Sequence, residues 1–262
     1  MTNAQRAFPG KVGSRRQNAL KLVALLIAYT AIIVLFESLV YASTADRVAV
    51  KLHGNSEIIN SLKVTIKRTV KNIGNDGNLL QDFSDEEQVW ISKKDRVVKR
   101  KIGGDEQTWD CRRKWRARLV PGGTVREPYE GGMQAVMPSL LVYLLFPQYV
   151  LDRISVADTR TGGNIIVLIG RPKGFSGKGA GDARWELEID RAKGVIMAVR
   201  TFDLAGRLAE EMQFIGWQEH ERCWLPSRVT MRRSSARNDL TIQYELADIE
   251  TNVISEESLG IK

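Results

Sequence analysis

The side chains of this 262-residue chain that could ligate a metal or act as a nucleophile are few and scattered. There are two histidines and two cysteines. His53 has no second ligand-type residue at metal spacing, and His220 sits in the polar run Gln218-Glu219-His220-Glu221-Arg222, which reads as a solvated turn. A zinc site needs Cys and His in clusters, whereas Cys111 and Cys223 lie far apart. Two states stay open for these thiols: a disulfide, in an oxidising compartment, or two buried free thiols. Acidic residues adjoin at Asp85-Glu86-Glu87 and Glu210-Glu211, but neighbours on a strand face opposite ways, so adjacent acids make no catalytic dyad. No Gly-x-Ser-x-Gly elbow occurs. Gly177-Lys178 suggests a phosphate loop, yet that motif needs glycine at the place of Pro172 and Ser or Thr at the place of Gly179. The pattern Trp185–Ile189 is also a strand where a helix should follow. These residue types point to non-catalytic binding, with no cofactor and no metal.

The elements that would position a binding surface are mostly strands. Leu240-Thr241-Ile242-Gln243-Tyr244-Glu245-Leu246 alternates apolar and polar residues, as does Trp185-Glu186-Leu187-Glu188-Ile189, the period of a strand with one dry and one wet face. Turn signals at 190–194, 203–206 and 218–222 divide 184–254 into an antiparallel meander. Upstream, 46–60 suits a short helix that Gly54 interrupts. Residues 61–72 alternate toward the turn Gly74-Asn75-Asp76-Gly77, and 87–92 and 96–102 read as further strands. Residues 106–120 read as one continuing strand through Trp109, Cys111 and Trp115, and 121–132 as turns. The run 133–150 is apolar and helical, opened by Pro138 and stopped by Pro147. It is too short to span a membrane. Two readings of it remain: a plug of ordinary core at the open end of a sheet, or a movable lid over a greasy cavity. Strands resume at 154–157 and 164–170, and 170–181 is a glycine-rich surface loop.

The first 42 residues differ in kind. Arg6, Lys11, Arg15, Arg16 and Lys21 precede an unbroken run of 15 apolar or small residues, 22–36, and Val40-Tyr41-Ala42 suits a signal peptidase. The segment 22–42 is also long enough to cross a bilayer, so a cleaved signal and a retained anchor both remain open. Either way residues 46–262 form one domain outside the cytoplasm. No cysteine near residue 42 offers a lipidation site. The formal net charge is +8, but without the export segment 34 basic residues face 30 acidic ones, a net charge of +4. Basic clusters at 93–101 and 112–118 read either as a solvated outer face or as contacts for anionic head groups or phosphate. An exported chain offers little reason to expect nucleic acid.

A strand ending in Asp190, a turn at Gly194, a hairpin at Phe202-Asp-Leu-Ala-Gly206, a strand 212–217 and the entry Trp224-Leu-Pro-Ser-Arg228 together resemble the LolA-type outer-membrane lipoprotein-sorting superfamily of periplasmic carriers. Gln88-Val-Trp-Ile91 is a weaker echo. The resemblance implies an α+β, mostly β fold: an antiparallel, unclosed half β-barrel wrapped round a few short helices, behind an N-terminal hydrophobic export or anchor segment. It implies an apolar cavity accepting acyl chains, with Trp90, Leu141, Leu144, Leu145, Trp185, Leu187, Met197, Met212 and Phe214 as candidate lining. Each methylene buried there would contribute about 0.8 kcal/mol. Met133, Met137, Met197 and Met212 suit irregular apolar ligands, or an ordinary core. An early-strand arginine holds the lid in such carriers, and Lys99 and Arg100 are its nearest counterparts, as lid or head-group contacts. The implied partners are a lipid or lipidated protein and an inner-membrane partner, for a monomeric protein of the periplasm or tethered to the inner membrane. The alternative function is a membrane-anchored envelope sensor or scaffold of the same fold.

Overall fold

Alternation of apolar and polar residues builds one 13-stranded sheet in which every pairing is antiparallel. The computed structural model describes residues 48, 51–52, 54–173, 184–235, 238–254 and 259, within one compact unit, Ala45–Lys262. The apolar segment 22–42, His53 and most of the glycine-rich loop lie outside the described residues. The first six strands are β1 (Ser61–Gly74), β2 (Leu79–Ser92), β3 (Val97–Ile102), β4 (Asp105–Asp110), β5 (Trp115–Val120) and β6 (Gly123–Pro128). A 3-10 turn (Met133–Ala135), α1 (Ser139–Leu145) and α2 (Pro147–Leu151) follow. Then come β7 (Ile154–Gly162), β8 (Ile165–Pro172), β9 (Arg184–Asp190), β10 (Val195–Phe202), β11 (Leu208–His220), β12 (Cys223–Ser234) and β13 (Asn238–Thr251).

The spatial order is β6-β5-β4-β3-β2-β1-β13-β12-β11-β10-β9-β8-β7. Two meanders therefore meet at β1 and β13, the only neighbours far apart in sequence, through twelve registered pairs from Leu62↔Thr251 to Gly74↔Asn238. The sheet stays open, with β6 and β7 as its edges, and the helical connector carries the chain from one edge to the other.

Period-two burial sorts the sheet into an inner and an outer face. Leu62, Val64 and Ile66 of β1, Val89 and Ile91 of β2 and Leu187, Met212, Phe214 and Val229 of the second meander join Leu140, Leu141, Leu144 and Leu145 in one buried cluster. The outer face is charged and partly cross-strand paired: Arg200 bonds Glu211 at 2.7 Å and Glu188 at 3.0 Å, and Lys99 meets Glu106 at 3.0 Å. Pairs of this exposure contribute at most about 1 kcal/mol each.

Four local expectations are corrected. Residues 54–57 are helical, so Gly54 lies inside the helical segment instead of interrupting it. The expected single strand over 106–120 is two, β4 and β5, and the expected turn region over 121–132 contains β6. Pro147 does not only stop a helix: it also occupies the first turn of α2, a position that needs no backbone donor.

One end of the sheet is closed by the N-terminal helical residues. Leu52 and Ile59 are buried there, Asn55 Oδ1 accepts from Trp224 N at 2.8 Å, and Lys51 Nζ donates to Arg191 O at 3.1 Å. Gly194, at φ +66°, lets β10 begin under this segment. A Cβ at that position would stand 2.6 Å from Lys51 O.

Candidate functional site

The floor of the candidate site follows from the register. Phe214 lies opposite Val229, Met212 opposite Met231 and Val199, and Val199 opposite Leu187, which itself faces Leu168. These side chains share the inner face, and α1 lies against them. Six of its seven residues are apolar at positions 140–142 and 144–145 and at Tyr143, so one short helix buries five of them. Tyr143 meets Phe214 edge-on with centroids 6.1 Å apart. Phe214 in turn touches Trp217, whose Nε1 donates to Phe214 O at 3.1 Å. The void between Leu52, Tyr143, Leu144, Pro147, Ile196 and Trp217 is about 10 Å³, room for at most one water. Among the described residues α1 packs directly on this floor.

A polar cluster adjoins this apolar floor. Arg68, Asp85, Glu87, Arg100 and Tyr244, with Ile66, Pro138 and Ser139, line a cleft of about 190 Å³. Arg68 makes a two-pronged bond to Asp85, with Nε 2.9 Å from Oδ1. Arg100 does the same with Glu87, with Nη2 3.0 Å from Oε2. Its third nitrogen, Nη1, donates to Val136 O at 3.0 Å, in the chain between the 3-10 turn and α1. Planar guanidinium groups suit this double duty, since their five donors form a fixed fork. Bonding to Asp85 raises the pKa of Arg68 further. Burial pushes the Tyr244 phenol above its ordinary value. On the far side of α1, Lys93 Nζ donates to Ser56 O at 2.6 Å and lies 5.6 Å from the Phe146 ring. Its pKa is lowered by burial.

The expected residues divide clearly. Leu141, Leu144, Leu145, Leu187, Met212 and Phe214 come together in the buried cluster, as do Met133 and Met137. Trp185 is partly buried against it, opposite Thr201 and Gly170, and its Nε1 is buried without a hydrogen-bond partner. Met197 falls in the irregularity between Ile196 and Ala198, outside the cluster. Trp90 is not on the inner face: it alternates with the buried Val89 and Ile91 and lies beside Lys99, 5.3 Å from ring centroid to Nζ. Lys99 thus faces outward with Trp90, and Arg100 faces inward. Cys111 and Cys223 are both buried and unpaired. Among the described residues no group of three His, Cys, Asp or Glu could hold a metal.

Asp85, Glu87, Arg68 and Tyr244 were not among the expected site residues. Their signal is spacing: acids at i and i+2 share a strand face, and arginines stand opposite them at Arg68↔Asp85 and, diagonally, Arg100 beside Glu87.

Neither a family model nor a curated protein matches the sequence. Solved structures do match by fold. An outer membrane lipoprotein-sorting protein domain from Vibrio parahaemolyticus superposes with TM-score 0.52 at 11% identity, covering 81% of this chain and 94% of its own. A DUF1329 family protein from Desulfovibrio piger gives TM-score 0.50 at 12% identity, covering 83% and 96%. A LolA superfamily protein from Nitrosomonas europaea gives 0.47 at 10%, covering 80% and 95%. The chain has the fold of a lipoprotein-sorting domain: an open antiparallel half-barrel around short helices.

Proposed function

We propose that this protein binds acyl chains of a lipid or lipoprotein, without chemistry, between the inner face of its sheet and a displaceable α1, in the envelope outside the cytoplasm. The observation that carries the reading is the Arg100 bond to Val136 O at 3.0 Å. It ties the start of the helical connector to the sheet through one side chain, beside a floor of Leu187, Met212 and Phe214 that shares one buried cluster with α1. Moving α1 away would expose a continuous apolar strip, and an acyl chain taking its place would restore the burial, at about 0.8 kcal/mol per methylene. Glu87 holds the guanidinium in place whether or not the carbonyl is bound. The fold shared with the lipoprotein-sorting domain from Vibrio parahaemolyticus agrees with this use.

The packed interior favours a second reading. With a void of only about 10 Å³, α1 behaves as core, and the same fold would serve as an envelope sensor or scaffold, held by residues 22–42 to the inner membrane. Native mass spectrometry of protein drawn from its own envelope separates the two. Bound mass corresponding to lipid or lipoprotein, lost on pinning α1 to the sheet with a bifunctional thiol reagent across Tyr143→Cys and Phe214→Cys, whose native rings meet edge-on, supports the carrier. A chain that carries no lipid before and after opening sinks it.

A further inference from the structure

One row of the inner face changes character along its length. Asp85 stands opposite Arg68, and Arg68 opposite Tyr244. Tyr244 in turn stands opposite Val229, and Val229 opposite Phe214. Directly paired residues share a face, so one line of side chains runs from an ion pair through a phenol into the apolar floor. Neighbouring strands lie about 4.8 Å apart, so Arg68 and Phe214, three strands apart, span roughly 14 Å. The cleft of about 190 Å³ opens over the polar half of this row, between Arg68, Asp85 and Tyr244 and the Pro138-Ser139 start of α1. Phe83, Val70, Ile242 and Met231 form an apolar line beside it.

The charges in the cleft are already matched. Arg68 gives Nε and Nη2 to Asp85, and Arg100 gives Nε and Nη2 to Glu87. A phosphate or carboxylate entering here would meet both acids as well as both arginines, and could take a guanidinium fork only by displacing an acid from it. A neutral carbonyl oxygen needs donors alone and leaves both ion pairs intact. Two donors suit it: Arg68 Nη1, which the fork to Asp85 does not use, and the Tyr244 O–H, which burial keeps protonated. A carbonyl drawn from water into a part-buried cleft requires such donors, because its lost hydration is otherwise uncompensated. We propose that this cleft takes the uncharged ester or amide carbonyl of an acylated ligand, with Arg68 and Tyr244 donating to its oxygen. The chain beyond the carbonyl runs along Val229 and Phe214 once α1 has moved. The cleft thus recognises the acyl linkage and not a charged head group, and this rests on the acyl-binding reading above.

The test uses the full chain, stripped of lipid and held in a bile-salt detergent, which has no acyl chain of its own. Three probes compete in equal amounts, and native mass spectrometry reads the bound masses. Monopalmitoylglycerol carries an ester; hexadecylglycerol has the same length and glycerol but an ether in its place; hexadecylglycerol phosphate adds an anion to that ether. The expected result is the ester bound about tenfold over either ether, the worth of two hydrogen bonds to a neutral acceptor. Tyr244→Phe should cut that preference about threefold, and so should Arg68→Lys, which keeps a charge beside Asp85 but loses Nη1. Binding of the plain ether should stay unchanged in both variants, which shows that the inner face is intact. Equal binding of ester and ether, a preference for the phosphate, or a preference that both variants leave untouched overturns the proposal while the acyl-binding reading stands. Binding of none of the three removes that reading, and the proposal with it.

Discussion

Arg100 joins two things that a smaller or unpaired side chain could not: the Glu87 carboxylate on the sheet and the Val136 carbonyl of the connector. Arg100→Ala should therefore cost about 2 to 3 kcal/mol in urea unfolding, because both acceptors lose charged donors. It should also speed proteolysis within 129–153. Arg100→Lys should keep part of the stability but lose the fork, and a double-mutant cycle with Glu87→Gln isolates the pair. Unchanged proteolysis in Arg100→Ala would remove the latch. Cys223 gives a pH prediction. Its Sγ donates to His220 O, and burial raises its pKa from 9.0 to about 11. A group raised in the folded state keeps its full contribution below pH 9 and loses it as pH rises toward 11, since only the unfolded thiol ionises in that window. Stability should fall between those limits, and Cys223→Ala should flatten that slope. At this scale the sequence was only half legible: the apolar members of the site declared themselves, but an outward Trp90 and an inward Arg100 depend on register, which one residue reverses.

Among the elements, strands with clean alternation were readable, and the misreadings arose at turns, for two opposite reasons. The turn between β4 and β5 contains neither glycine nor proline: Asp110 Oδ1 accepts from the amides of Arg112 and Arg113, and Lys114 takes φ +59°. Cys111-Arg-Arg-Lys114 thus hides a hairpin that composition does not announce. The turn after β9 uses the same device, with Asp190 Oδ1 accepting from Ala192 and Lys193 amides, but ends on Gly194. There glycine is required twice over, by its positive φ and by the Lys51 carbonyl. Gly194→Ala should destabilise by more than about 1 kcal/mol and loosen the N-terminal helical segment, seen as faster amide exchange at 54–57. The corresponding Lys114→Gly should be neutral or stabilising in the same assay, because it relieves a left-handed non-glycine residue. β6 was missed for the opposite reason: Gly122 before it and Gly123 and Pro128 at its two ends look like punctuation, yet an edge strand tolerates them.

For the whole molecule, an antiparallel mostly β sheet was legible, whereas its joining of the first strand to the last was not, because no local pattern encodes a pairing between residues 62 and 251. Forming it must wait until nearly the whole chain is gathered, so folding should be slow for the domain's size. Hydrogen exchange should be slowest in β1, β12 and β13 at the centre and fastest in β6 at the edge. Slower exchange in β6 than in β1 would contradict the order of strands. The connector between β6 and β7 has a consequence of its own. It is the only covalent link between the two meanders, which otherwise meet at the single β1–β13 seam and across the helices. Cut once within 129–132, the chain would become two pieces that each keep their own neighbours. Such a pair could be made apart and mixed, their reassembly reporting the strength of one seam.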